Sequence, residues 1–157
     1  MHTEIARLRL AGIALAASVL AGCAMTPEEK PAPVAAAVPP SFETERLIGK
    51  WGIASYRAEK DRRRTEAQAR AQCRLPYTIV KGPTDGIMIH VADDATIREL
   101  KLKGSAAGKT YLGFEGPPGD RQDREILSFS DNVVVMKYVD PEVDNRYGTF
   151  VYVRCPS

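Results

Sequence analysis

Thiols and imidazoles are the side chains of this chain best suited to chemistry. Three cysteines, Cys23, Cys73 and Cys155, can each act as a nucleophile, bind a metal or form a disulfide. A Ser-His-Asp arrangement would have to use His90, but the alternation in Ile87–Val91 places this histidine opposite the isoleucines, on the solvent-facing side. No serine lies in a Gly-x-Ser-x-Gly turn. We therefore expect no catalytic residue, no cofactor and no enzyme activity.

Cys23 follows a segment with the layout of a bacterial export signal. Two arginines precede an uncharged apolar run, Leu10–Leu20, which is shorter than the about 20 residues that a permanent membrane helix needs. The run ends in Leu20-Ala21-Gly22-Cys23, which resembles the lipobox of bacterial lipoproteins. The resemblance implies that residues 1–22 are a signal peptide and that the Cys23 thiol takes up diacylglycerol. It also implies a permanent anchor, because such proteins carry more than one acyl chain.

The residues after Cys23 set the expected location and the domain boundaries. The next residue is Ala24, where enteric lipoproteins kept in the inner membrane have an aspartate, so the resemblance implies the outer membrane and its periplasmic face. Residues 23–40 are the lipidated cysteine and a linker rich in proline and alanine, which lacks core-forming side chains. Residues 41–157 suffice for one hydrophobic core and are too few for two.

The charge balance limits the classes of partner. The formal net charge of the whole chain is +2, and loss of Glu4, Arg7 and Arg9 with the signal peptide lowers it to +1. Binding to nucleic acid needs a basic field that this chain lacks, so we expect no nucleic-acid partner. The expected partners are the membrane, through the lipid anchor, and an envelope protein or a small apolar ligand.

With Cys23 assigned to lipid, Cys73 and Cys155 remain. An exported protein meets an oxidising compartment, in which two cysteines without a third competitor pair as a disulfide. The alternative is a metal site that uses both thiols and His90, but three ligands so far apart in the sequence give it little support. We expect the disulfide and no bound metal.

Short apolar runs separated by turn residues predict a chain that is mainly β. A segment rich in Glu, Arg, Ala and Gln, Glu59–Gln72, predicts one helix after the first strand. Eight strands joined by tight turns favour a small antiparallel up-and-down barrel. The predicted strands are Lys50–Tyr56, Tyr77–Lys81, Ile87–Val91, Ile97–Lys103, Lys109–Phe114, Glu125–Phe129, Val133–Val139 and Gly148–Cys155.

The pattern within the strands predicts which side chains fill the barrel. Val133–Met136 and Phe150–Val153 are apolar on both faces, so we expect the helix to cover their outer face. A domain this short can fill its interior with its own side chains. The plausible inward residues are Ile87, Ile89, Leu100, Leu102, Phe129 and Met136.

Gly49-Lys50-Trp51, at the start of the first strand, resembles the Gly-x-Trp signature of lipocalins and the wider calycins. The resemblance implies a barrel plugged at one end by Trp51, with Arg154 or Arg146 packed across the indole ring. It also implies a carrier of a small apolar ligand. The simpler alternative is that Trp51 is an ordinary core residue.

A second resemblance is to small barrel-bearing lipoproteins of proteobacteria that inhibit proteases. They share the lipobox, the linker rich in proline and alanine, an early tryptophan and one disulfide. Three functions therefore stay open. The first is a non-enzymatic envelope lipoprotein with a structural or protein-interaction role, the second is a lipocalin-like carrier and the third is a periplasmic protease inhibitor.

Two charged segments have no predicted task. Asp140, Glu142 and Asp144 have the spacing of calcium ligands, but Asn145 occupies the position of the turn glycine and Val151 that of the closing glutamate. We therefore expect an acidic, solvated hairpin there. The mixed-charge run from residue 120 to residue 125 is expected to be a surface loop.

Overall fold

A computed structural model describes residues 38–156. They form a closed barrel of eight antiparallel strands in sequence order, in which the last strand pairs with the first. The strands are β1 (Gly49–Tyr56), β2 (Tyr77–Lys81), β3 (Ile87–His90), β4 (Ile97–Gly104), β5 (Thr110–Gly113), β6 (Arg124–Phe129), β7 (Val133–Tyr138) and β8 (Thr149–Arg154). The predicted fold class is therefore confirmed, and each predicted strand overlaps an observed one.

The helix after the first strand is present but divided. A 3₁₀ turn, Glu59–Asp61, leads into α1 (Arg62–Ala71), and a second 3₁₀ turn, Gln72–Arg74, follows it. The face of α1 that meets the barrel carries Thr65 and Ala69, which are both buried. Two small side chains let the helix approach the strands closely, so α1 covers the barrel and adds little core of its own.

Helix α1 covers the outer face of β1 and β8, whereas the two-sided apolar pattern predicts that it covers β7 and β8. The prediction is therefore confirmed for β8 and not for β7. Ala69, Val151 and Val153 are fully buried and form a cluster with Tyr56 that is separate from the barrel interior. Cys73, just after the helix, forms a disulfide with Cys155, just after β8. The predicted disulfide is confirmed, and both thiols are oxidised.

The segment between β7 and β8 is a helix, so the expected hairpin there is wrong. Helix α2 (Pro141–Tyr147) begins at Asp140, whose carboxylate accepts hydrogen bonds from the N–H groups of Glu142 at 2.9 Å and Val143 at 3.5 Å. An aspartate cap followed by a proline at the first helical position favours helix initiation. Gly148 ends the helix with φ of 74°, a conformation that glycine adopts without strain.

Apolar side chains from the strands fill much of the barrel interior. Ile87, Ile89, Leu100 and Met136 are at most 1% exposed, as predicted from their strand positions. Leu102 and Phe129 are half-buried and pack against the same core. The other buried members of this core are Leu47, Trp51, Ile79, Leu112, Val134 and Tyr152.

The chain enters the described region at one end of the barrel. Val38 forms an isolated bridge with Gly104, the last residue of β4, and the Ser41 N–H donates to the Thr110 hydroxyl at 3.1 Å. A 3₁₀ turn, Thr44–Leu47, then leads to β1. We call this end, where Leu47 and Trp51 lie, the closed end. Within residues 38–156 no helix is long and apolar enough to cross a membrane.

Candidate functional site

The closed end is sealed by an indole ring and a guanidinium. Trp51 is 1% exposed, and its Nε1 donates to the Leu47 carbonyl at 2.8 Å. The Arg154 guanidinium lies 4.2 Å from the centre of the indole ring and donates from Nη1 to the Ile48 carbonyl at 3.0 Å. Arg146 lies at the other end of the barrel, so the arginine next to Trp51 is Arg154.

The opposite end has a cavity, and we call this end the mouth. It is the end at which β3 and β7 finish and β6 and β8 begin. The cavity has a volume of about 210 Å³. Its apolar floor consists of Ile53, Ile89 and Phe150, and its polar groups come from Tyr77, His90, Arg124, Tyr138 and Tyr152.

Arg124 and Asp93 are the charged residues that line the cavity, and Arg124 is only 3% exposed. Its Nη2 donates to the His90 carbonyl at 2.5 Å and to the Tyr138 hydroxyl at 2.7 Å. The guanidinium also lies 4.8 Å from the centre of the Tyr138 ring, which adds a cation–π attraction. Nη1 is buried and has no hydrogen-bond partner in the described part of the chain.

A buried ion pair next to Arg124 fixes the start of β6. Lys103 Nζ donates to Asp123 Oδ1 at 2.7 Å, and the two side chains are 9% and 1% exposed. Asp123 Oδ2 also accepts from the N–H groups of Gly119 at 2.8 Å and Asp120 at 3.1 Å. Since successive side chains of a strand point to opposite faces, anchoring Asp123 outside directs Arg124 inward.

The role of Asp123 corrects the expectation for the mixed-charge run. The sequence predicts a surface loop without a task for that run, whereas Asp123 is buried and Arg124 lines the cavity. No local pattern predicts this ion pair, because Lys103 lies 20 residues from Asp123 in the chain.

His90 is half-buried instead of facing solvent, so the expectation from strand alternation is wrong at this residue. Its N–H donates to the Tyr77 hydroxyl at 2.8 Å, and its Nδ1 lies 2.8 Å from the same oxygen. The hydroxyl accepts from the N–H, so its own hydrogen is available to Nδ1. His90 is the last residue of β3, where its side chain can reach a neighbouring strand at the mouth.

Two tyrosines of the cavity, Tyr152 and Tyr77, have raised pKa values and keep their hydroxyl hydrogens at neutral pH. Burial raises the pKa of Tyr152 to about 12, although the positive charge of Arg124 opposes this rise. Burial also raises the pKa of Tyr77, against the His90 N–H bond and the same arginine. These phenols can therefore donate hydrogen bonds but cannot neutralise the guanidinium.

Helix α2 is tied across the mouth by two carboxylates. Asp93, in the loop after β3, accepts from Arg146 Nη1 and from the Tyr147 hydroxyl, each at 2.6 Å. Asp140 accepts from Arg121 Nη2 at 2.6 Å. The Tyr147 hydrogen bond is the main cause that lowers the pKa of Asp93, and the Arg121 hydrogen bond is the main cause for Asp140.

The mouth contains one imidazole, that of His90. Its Nδ1 contacts a tyrosine hydroxyl and not a serine or a thiol. Among residues 38–156 no group of three His, Cys, Asp or Glu side chains could hold a metal ion. Cys23, the predicted lipidation site, lies outside the described residues.

Comparison with known proteins gives no relative. No family model, no curated protein and no solved structure matches the chain.

Proposed function

We propose that this chain is a non-enzymatic lipoprotein of the bacterial outer membrane, anchored through Cys23, whose barrel binds a small ligand at its mouth. The anchor rests on the export-signal layout and on the lipobox resemblance of residues 20–23. The observation that carries the binding role is the cavity of about 210 Å³ at the end of the barrel opposite to the chain's entry. The described chain begins at the closed end, where Val38 pairs with Gly104, and the mouth lies at the opposite end.

The packed interior limits the size of the ligand. The core between Trp51 and Tyr152 leaves no room for a long acyl chain, which a wide barrel could hold. The cavity lies between the about 150 Å³ that admits benzene and the about 300 Å³ of pockets for drug-sized ligands. We therefore propose a ligand of one ring or a comparable branched body.

A structural or protein-interaction role has less support from the geometry. A partner chain often adds a strand to a free sheet edge, and closure of β8 onto β1 removes such edges. Nothing in residues 38–156 favours protease inhibition over the other two hypotheses.

The anchor is tested by processing in cells. Globomycin, which blocks the lipoprotein signal peptidase, is expected to cause the uncleaved precursor to accumulate. A Cys23→Ser variant is expected to remain unlipidated because the acyl acceptor is lost. Unchanged processing in both experiments would refute the lipoprotein proposal.

The binding role is tested by native mass spectrometry of protein that has been purified without detergent from a soluble version starting after Cys23. We expect a species carrying one small ligand, and we expect Ile53→Trp, which fills the cavity floor, to lose it. A Ser55→Ala variant, on an exposed position of the same strand, is the matched control. Absence of any bound ligand, together with a specific crosslinked envelope protein, would favour the protein-interaction role instead.

A further inference from the structure

Arg124 is a buried cation without a counter-ion. It is only 3% exposed, yet its two hydrogen bonds go to a main-chain carbonyl and a tyrosine hydroxyl. Removing a guanidinium from water is costly unless an anion or a full set of acceptors compensates. The unpartnered Nη1 shows that the described residues do not provide that set.

Three carboxylates around the mouth are engaged with other cations. Asp93 pairs with Arg146, Asp123 with Lys103 and Asp140 with Arg121. Within residues 38–156 no carboxylate lies within 4.0 Å of Arg124. Arg124 therefore forms no ion pair among the described residues, and Asp93, which also lines the cavity, is engaged with Arg146 and Tyr147.

Two tyrosines of the cavity wall also have hydroxyl hydrogens without an acceptor among the described residues. The Tyr138 oxygen accepts from Arg124, and among the described residues its own hydrogen has no acceptor. Tyr152, which also lines the cavity, donates to no group in this part of the chain. With Arg124 Nη1, three donors remain for a ligand that brings acceptors and negative charge.

We infer that the mouth cavity binds a small organic carboxylate with an apolar or aromatic body, the carboxylate accepting from Arg124, Tyr138 and Tyr152. This inference rests on the proposed binding function and names its ligand class. Because Nη1 is screened from water, the guanidinium has to rotate slightly toward the cavity to reach the ligand. The aromatic rings and Ile53 then surround the body of the ligand.

The test compares benzoate with benzyl alcohol, a neutral probe of similar size. Each is titrated to about 10 mM into the full chain in mild detergent, and amide shifts are followed by two-dimensional NMR. We expect benzoate to shift residues of the mouth, with Phe42 and Phe129 at the closed end as internal references. Benzyl alcohol is expected to bind about tenfold or more weakly, since it lacks the charge-assisted hydrogen bonds.

Two variants assign the effect to its residues. Arg124→Gln is expected to weaken benzoate binding about tenfold to a hundredfold while leaving benzyl alcohol binding unchanged. Tyr152→Phe, which keeps the ring and removes one donor, should weaken benzoate binding by a smaller factor. The matched control is Arg121→Gln, an exposed arginine of the same mouth, which is expected to leave benzoate affinity within about twofold.

The outcomes separate the inference from the proposed function. If benzyl alcohol binds as tightly as benzoate, the cavity is a ligand site but the carboxylate inference is wrong. If neither probe shifts the mouth, both the inference and the binding function are wrong. Equal losses for Arg124→Gln and Arg121→Gln would show attraction by general charge and would also overturn the inference. If Arg124→Gln fails to fold, Tyr152→Phe takes its place: weaker benzoate binding by this variant supports the inference, and unchanged benzoate binding overturns it.

Discussion

Two arginines at opposite ends of the barrel have different surroundings. Arg154 donates to main-chain carbonyls and lies on the Trp51 ring, so its hydrogen-bonding capacity serves the closed end. Arg124 is more deeply buried, but one of its nitrogens has no partner among the described residues. A saturated arginine stabilises the fold, whereas an unsaturated one costs stability and points to a ligand.

The first prediction concerns Arg154. Arg154→Ala is expected to lower the free energy of unfolding by about 2–3 kcal/mol, because it removes a cation–π contact and leaves main-chain carbonyls without donors. Guanidinium denaturation followed by the fluorescence of Trp51, the one tryptophan of the chain, measures the change.

The control for Arg154 is Arg146→Ala at the mouth. Arg146 is exposed and lies 5.7 Å from the centre of the Tyr147 ring, so its loss is expected to leave the unfolding midpoint nearly unchanged. Equal effects of the two substitutions would contradict a special role for the Arg154–Trp51 contact.

At the scale of elements, Gly52 controls how closely α1 approaches β1. A Cβ atom at this position would lie 1.9 Å from the Ala69 carbonyl oxygen, which belongs to the helix backbone. Gly52→Ala therefore has to push the helix away from the barrel. We expect the free energy of unfolding, measured by thermal denaturation, to fall by about 2–3 kcal/mol. Ser55→Ala, on an exposed position of β1, should change the melting temperature little.

The attachment of α2 is predicted to depend on acid. The pKa values of Asp93 and Asp140 are lower in the folded protein than their ordinary value of 3.8. Their contribution to stability is therefore complete above that value and is lost as the pH falls through the folded pKa. We expect the protection of the α2 amides against exchange, relative to that of the β1 and β8 amides, to fall as the pH is lowered below about 4.

Variants isolate these two carboxylates. Asp93→Asn together with Asp140→Asn should remove the acid dependence of α2, and asparagine can still cap the helix. Asp85→Asn, at a turn of the closed end, should leave that dependence in place. Exchange in α2 that stays parallel to exchange in the strands at every pH would show that the carboxylates do not control it.

At the scale of the whole molecule, the disulfide fastens the covering helix to the end of the barrel. It joins residues 82 positions apart and thus closes most of the domain into one loop. The chain-entropy estimate for a loop of this length is about 4 kcal/mol. We therefore expect the free energy of unfolding of the double variant Cys73→Ala and Cys155→Ala, measured by chemical denaturation, to be lower by about that amount.

Reduction provides an independent check on the disulfide. Treatment of the unmodified protein with dithiothreitol should lower the unfolding midpoint as far as the double variant does. A loss below about 1 kcal/mol in both cases would mean that the loop closure contributes little to the folded state.

Local sequence was sufficient for most elements and insufficient for α2. The strands have alternating or continuous apolar residues between glycine and proline turns, and both signals act within a few residues. Asp140-Pro141 and Gly148 are also local signals of a helix's two ends, but a helix of seven residues has too little apolar periodicity to stand out from a loop.

The candidate site could be predicted only in part. The export signal and the pairing of Cys73 with Cys155 follow from motif and count, and the second of these is confirmed. No local pattern predicts the mouth, because it combines residues from six strands, β1, β2, β3, β6, β7 and β8. His90 was misplaced because alternation describes strand interiors and fails at the last residue of a strand.

The sequence by itself predicts the barrel, its covering helix, its disulfide and the anchor. Periodicity, turn residues and the lipobox are patterns of neighbouring positions, and the disulfide follows from the number of cysteines in the chain. The tertiary structure alone decided that Arg154 covers Trp51, that Asp123 is held by Lys103, and that Arg124 is buried without an anion. Burial and the absence of a counter-ion are set by which strands close around a residue. For that reason the proposed ligand class depends on the fold, and no pattern in the sequence predicts it.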